Sequence, residues 1–232
     1  MRRVAVVLFL VFALLGATAF CQQKVVALTF DDGPNLKFSG KVMHYLERQQ
    51  IRATFFVIGY KAKQFPDLVL EEFEAGHEVE NHTFGHVCLV KPNSQWTGCQ
   101  DLSVAETIRQ LKTTNDIIQS ITGYSCRYLR PPYFAMTKER EMAIQQLLGM
   151  EVVKHGADSI GSLDWVYDSP QKIVAHVKNE AVRRGMKSYI IVFHEMSATL
   201  EALPPIVDFF KNNGYLFVRL DRFEQYKKGE VK

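Results

Sequence analysis

From Lys24 onward the chain alternates short apolar runs with amphipathic stretches, and the alternation is regular enough to count. Seven runs read as strands, at 25–30, 53–58, 78–81, 126–130, 151–156, 189–194 and 215–220, most of them dominated by β-branched and aromatic residues. Helical signals fill the gaps. Segments 38–50 and 66–74 come first, and Ser103 with Glu106 three residues on then opens a longer helix with a capping box. Ser169-Pro170 opens another, because the missing proline N–H is no loss at the first helical position. Gly149, Gly185 and Gly214 are placed to close helices. Strand–helix alternation along a whole chain implies an α/β fold with parallel strands buried under helices, as an open doubly wound sheet or a closed barrel. The unusual polar residues favour the barrel. They cluster just after strands one, three, four, five and six, along the edge where barrels build their sites, whereas an open sheet gathers them at one or two switch points.

The start of the chain reads differently. Met1-Arg2-Arg3, the apolar run 4–15 and Gly16-Ala17-Thr18-Ala19 have the charged start, short apolar core and small-residue site of a secretory signal peptide, with cleavage expected after Ala19. That leaves one domain over 20–232, with no repeat or low-complexity tract to divide it. Neither the leader nor any later run is long enough to span a bilayer comfortably, so the mature protein is expected to lack a transmembrane segment and to reside in the periplasm, the cell envelope or the medium. Cys21 raises a lipoprotein alternative, to which Phe20 is a poor fit. The formal net charge of +3 falls to +1 once Arg2 and Arg3 are removed, since 26 basic residues then face 25 acids, and this argues against a nucleic-acid partner. Cys88 and Cys99 flank a polar loop at 91–95 and are expected to be bonded in an exported protein, while the fates of Cys21 and Cys126 stay open.

The chemistry starts at Thr29-Phe30-Asp31-Asp32-Gly33-Pro34, where two adjacent carboxylates stand between an apolar strand and a Gly-Pro stop. Neighbouring strand side chains point to opposite faces, so both acids can serve one site only if the backbone bends, and Gly33 is the expected place. After the third strand, Asn81-His82-Thr83-Phe84-Gly85-His86 puts two histidines four residues apart, on one face of a helical turn, close enough to share a metal ion. Asp32 is the natural third ligand, and a His-His-Asp set leaves a coordination position open for water. Glu80 adds a carboxylate nearby that could strengthen such a site or face solvent. His77-Glu78 with His82 imitates the zinc-protease HExxH pattern, but its spacing is one residue too long for both rings to meet on a helix. Arg130-Pro131-Pro132-Tyr133 follows the fourth strand: Arg130 can pair with a buried carboxylate, and two prolines leave the Tyr133 N–H as the next donor free to face the site. Asp164-Trp165 follows the fifth strand, and Phe193-His194 ends the sixth.

With these pieces in order, the chain resembles the polysaccharide deacetylases with a NodB homology domain, carbohydrate esterase family 4. The matching segments are TFDDGP at 29–34, HTFGH at 82–86, RPPY at 130–133, Asp164-Trp165 and VFH at 192–194. The resemblance implies a distorted seven-stranded parallel (β/α) barrel and metal-dependent removal of acetyl groups from N-acetylated glycans, with Zn2+ the expected ion and Co2+ or another divalent ion the alternative. It makes Asp31 the general base, Asp32, His82 and His86 the metal ligands, and His194 the general acid oriented by Asp164. Arg130 orients Asp31, Tyr133 supplies a backbone N–H to the oxyanion, and Trp165 with Tyr167 offers an apolar platform for a sugar face or the acetyl methyl. Two other readings keep the fold: an O-acetyl esterase acting on a polymer such as xylan, and a glycan-binding protein without turnover. The complete set of base, ligands, Arg130, Asp164 and His194 argues against the second.

Overall fold

The computed structural model describes residues 23–90 and 101–230. The expected leader, Cys21 and Cys99 lie outside the described residues, and with Cys99 so does the expected Cys88–Cys99 bond. Cys126 is a buried free thiol.

Among the described residues eight strands carry the architecture: β1 (Val25–Gly33), β2 (Thr54–Val57), β3 (Glu78–Asn81), β4 (Tyr128–Leu129), β5 (Glu151–Val152), β6 (Ser159–Gly161), β7 (Ser188–His194) and β8 (Leu216–Phe217). Seven of them run parallel along the path β5-β4-β3-β2-β1-β7-β6, curled into a half-barrel, and β8 pairs with the start of β1. The helices are α1 (Ser39–Arg48), α2 (Gly59–Gln64), α3 (Pro66–Glu74), α4 (Val104–Thr122), α5 (Lys138–Leu148), α6 (Pro170–Arg184), α7 (Ser197–Asn212) and α8 (Leu220–Lys228). The seven-stranded parallel α/β barrel expected from the sequence is thus present, with two changes in its strands. Ser159–Gly161 is a strand that the apolar pattern does not mark, being three residues long, and it follows β5 with no helix between them. The run at 215–220 contributes only a two-residue strand before α8 begins.

β1 is the axis of the molecule. Its residues from Val25 to Asp31 are buried, between β2 on one side and β7 on the other. The ring of Phe30 stacks at 5.0 Å on Phe55 of β2 and at 5.7 Å on Phe193 of β7. Each such ring taken fully out of water contributes about 1.5–3 kcal/mol, so this row ties the three central strands together. The strand ends are then level by register. Asp31 stands opposite His194 and Phe56, Asn81 opposite Val57 and Leu129, and Gly161 opposite Val192. Every segment singled out for its chemistry therefore leaves the sheet at one edge. At the helix ends, Ser103 Oγ accepts from the Glu106 N–H at 3.1 Å, while the Glu106 carboxylate turns to Arg109 instead of completing the capping box.

Candidate active site

The two carboxylates at the end of β1 are brought to one side by a bulge. Asp31 pairs with Phe56 and Gly33 with Val57, so Asp32 is left over, in the left-handed region at φ 68°. The bend thus falls at Asp32 and not at Gly33 as expected, because a short polar side chain tolerates that conformation better than most. Glycine is needed at 33 for space: a Cβ there would meet Glu195 Oε2 at 2.5 Å.

His82 and His86 converge by a route other than the helical turn read from their spacing. Thr83 at φ 67° and His86 at φ 52° fold residues 82–86 into a loop, and the Asn81 side chain anchors it by accepting from Thr83 N–H at 2.8 Å and donating to the Leu111 carbonyl of α4 at 2.9 Å. The ring centroids lie 5.2 Å apart. His82 Nδ1 is 2.6 Å from the Arg130 carbonyl oxygen, which can only accept, so Nδ1 carries the proton and Nε2 presents its lone pair. That Nε2 is 3.2 Å from Asp32 Oδ1, and His86 Nε2 is 3.1 Å from the same oxygen. Asp32 Oδ1 is buried, and among the described residues no hydrogen-bond donor reaches it. A carboxylate oxygen facing an imidazole lone pair is repulsive unless a cation stands between them, so the donor set of Asp32, His82 and His86 fits a divalent metal, and nitrogen with oxygen suits zinc.

Arg130 organises both halves of this site. It is 1% exposed, and Nη1 donates to Asp31 Oδ1 and to Thr29 Oγ1, each at 2.7 Å, while the guanidinium lies over the Phe56 ring at 4.1 Å. Its side chain fixes Asp31, and its carbonyl fixes the tautomer of His82. Across the cleft, Asp164 Oδ1 is 2.8 Å from His194 Nδ1, and Asp164 Oδ2 accepts from His194 N–H at 2.7 Å and from Thr199 Oγ1 at 2.5 Å. This clamp leaves His194 Nε2 pointing to the site, 3.9 Å from Asp32 Oδ2. Burial works against charging the ring, but the hydrogen bond and charge of Asp164, with Asp31 and Asp32 beyond, outweigh it and push His194 up to about 9.

These groups line one cavity of about 530 Å³, which takes in Asp31, Asp32, His82, His86, Tyr133, Trp165 and His194, with Arg130 and Asp164 buried behind. Tyr133, at φ 59°, sets its ring edge-on to His86 at 5.1 Å, and Trp165 sits edge-on to His194 at 5.1 Å, 46% exposed. Tyr167 is no part of the platform. It packs on the core and faces His176 at 6.0 Å. The cavity also has a wall that the sequence reading missed. His176, Glu180 and Arg184 recur every four residues along one face of α6, a spacing visible in the sequence, and Phe134, His155 and Leu163 complete it. His155 is held below the usual histidine range by burial and by Arg184 and Arg130.

Two acidic or basic groups from the same region serve the scaffold instead. Glu80, expected either beside the metal or in solvent, is fully buried and accepts from Tyr124 OH at 2.7 Å and from the Arg127 and Tyr128 N–H groups at 2.8 Å. It pins the entry to β4, and burial with the nearby Glu78 pushes it up to about 8. His77 is buried, accepts from Ala53 N–H at 3.0 Å, and is held down to about 4 by burial, which disposes of the protease-like pattern.

Comparison with known proteins gives a consistent picture. The family model for polysaccharide deacetylase matches residues 21–153. The peptidoglycan-N-acetylmuramic acid deacetylase PdaC of Bacillus subtilis is 31% identical over 89% of this chain, and the chain spans only 40% of that protein. A peptidoglycan-N-acetylglucosamine deacetylase of Bacillus cereus is 30% identical over 88% of this chain, which covers 69% of that protein. Among solved structures, peptidoglycan deacetylase PdaC from Bacillus subtilis superimposes with a TM-score of 0.74 at 29% identity, covering 90% of this chain and 93% of the solved one.

Proposed function

Because the chain belongs to the polysaccharide deacetylase family, we propose that it is an exported, metal-dependent hydrolase that removes the N-acetyl group from N-acetylglucosamine residues of peptidoglycan or a chitin-like oligosaccharide. The observation that carries this reading is the convergence of His82 Nε2 and His86 Nε2 on the buried Oδ1 of Asp32, which no donor among the described residues reaches, between two oriented pairs, Arg130–Asp31 and Asp164–His194. The names of the two relatives favour peptidoglycan as the polymer, and the leader sequence supports export to where that polymer lies.

An amide is a poor electrophile with a poor leaving group, so its hydrolysis needs an activated water, a stabilised oxyanion and a proton for the departing amine. Asp32, His82 and His86 would hold a divalent ion, zinc by preference, which would supply Lewis acidity and make water easier to deprotonate. Asp31, fixed by Arg130, stands at the cavity wall to take the proton of the attacking water. The backbone N–H of Tyr133 is the donor proposed for the developing oxyanion. His194, favoured in its charged form by Asp164 and held by it, gives its Nε2 proton to the sugar nitrogen as the C–N bond breaks. Trp165 borders the space left for the acetyl methyl or a sugar face.

The deciding experiment measures acetate released by the mature protein from N-acetylglucosamine oligomers and from purified peptidoglycan, before and after chelation, with zinc or cobalt returned. Release that chelation stops and metal restores is the expected result. No release from either substrate with metal bound would overturn the proposal, and release from acetylated xylan alone would replace it with the esterase reading. The role of His194 has its own check. As general acid it must be protonated, so kcat falls as pH rises through its pKa. Asp164→Asn removes the strongest upward pull on the ring, and the basic limb of the kcat profile is expected to move to lower pH by about one unit or more. An unmoved basic limb would show that His194 is not the acid.

A further inference from the structure

Glu195, directly after the proposed acid, is 4% exposed and is used by none of the chemistry above, yet it underlies the turn that carries Asp31 and Asp32. The α-carbon of Gly33 rests against its carboxyl, at the separation that would put a Cβ 2.5 Å from Oε2. The same Oε2 accepts from Ser39 Oγ at 2.9 Å, and Ser39 Oγ in turn accepts from the Asn35 N–H at 2.7 Å. One carboxyl therefore supports the turn at both 33 and 35. Two further bonds complete its fixation: Lys61 Nζ donates to the Asp32 carbonyl at 2.7 Å, and Ile58 N–H to the Gly33 carbonyl at 2.9 Å.

Behind Glu195 stands Glu72 of α3, fully buried, and among the described residues no donor reaches either of its oxygens. Glu195 Oε1 lacks one as well. Two ionised carboxylates cannot share such a site, whereas one proton held between them gives each a partner. Burial accordingly raises Glu72 well above the ordinary carboxyl range, with Glu195 adding to the effect, and burial raises Glu195 up to about 7 against the pull of Ser39, Asn35 and Lys61. An acid pair sharing one proton would be a stiff support, because moving either member would strand the other in the core.

We propose that Glu195, backed by Glu72, is a positioning residue: it sets the height of the 31–35 turn, and through it the placement of Asp32 against His82 and His86 and of Asp31 in the cleft. Its consequence for turnover rests on the deacetylase reading, while its consequence for metal binding does not. The test uses Gly33→Ala, Glu195→Asp and the double variant, with zinc affinity measured by competition against a chromogenic chelator and kcat/KM measured at saturating zinc. Gly33→Ala drives a methyl into the carboxyl and is expected to weaken zinc by about tenfold, the lower end for changes that disturb the orientation of metal ligands. Glu195→Asp withdraws the carboxyl by one methylene, so the double variant is expected to recover most of that loss, and this non-additivity marks direct coupling of the two positions. Unchanged zinc affinity in Gly33→Ala, or a loss that persists in the double variant, would overturn the proposal. Should Gly33→Ala not fold, Glu195→Gln, which keeps an acceptor for Ser39 and a donor for Glu72, is compared with Glu195→Ala. Zinc affinity is expected to hold in the first and drop in the second, and equal affinities would overturn the proposal. Wild-type protein that binds zinc but releases no acetate would defeat the functional reading and leave this test intact.

Discussion

Asp31→Asn is expected to lower the rate of acetate release by about 10²–10⁴-fold, the range a positioned general base supplies, while the protein still binds its metal. The two effects separate because the cluster that could hold a metal ion contains Asp32 and not Asp31. Asparagine keeps the volume and the oxygen that accepts from Arg130 Nη1, but an amide cannot take a proton from water. It also leaves Arg130 buried without its counter-charge, and breaking a buried ion pair typically costs about 3–5 kcal/mol of stability. The kinetics therefore need a thermal melt and a metal analysis on the same preparation. A folded, metal-loaded variant with wild-type turnover would remove Asp31 from the mechanism.

His82→Ala is expected to act on the metal itself. Its Nε2 is one of three donors converging on the site, and its Nδ1 bond to the Arg130 carbonyl, which aims that donor, disappears with it. Loss of a residue that only orients a ligand weakens metal by about 10–100-fold, so removal of a ligand should exceed about a hundredfold. Elemental analysis after gel filtration, with chelator competition for the affinity, reads this without any assay of turnover. A purified variant that keeps one metal ion per chain would show that the ligand set is wrong.

Both predictions start from residues that the sequence already singled out, and the reason is chemical. Charged and imidazole groups at the ends of apolar runs are conspicuous against a core of valine, phenylalanine and isoleucine, and parallel strands under helices bring such ends to one edge. The backbone that aims them was less visible. The bend falls at Asp32 because a bulge places it there, and the histidine loop depends on Thr83 and His86 taking left-handed conformations that spacing does not reveal. Ser159–Gly161 escaped notice because a three-residue strand is held by its neighbours rather than by its own pattern. Glu80 misled for the opposite reason. Its place in the chain, two residues before a proposed ligand, left it either beside the metal or in solvent, whereas its three donors come from residues 124–128, which only the folded chain brings near.

The backbone conformations of this site carry a further meaning. Among the described residues, seven that are not glycine have positive φ, and six of them, Asp32, Thr83, His86, Tyr133, Phe134 and Leu163, lie in the segments that build the cleft. Each left-handed residue costs roughly 1–2 kcal/mol against its relaxed form, which for six amounts to roughly 6–12 kcal/mol, comparable with the net stability of a whole domain. The cleft is thus strained ground, kept in shape by the side chains that bond its turns, Asn81 under the histidine loop and Lys61 with Glu195 and Ser39 under the 31–35 turn, and not by its own preferences. Selection for heat resistance alone should drift toward glycine or asparagine at these six positions, relaxing the backbone and loosening the aim of the groups it carries. In this chain durability and catalytic order are set against each other at the same six residues.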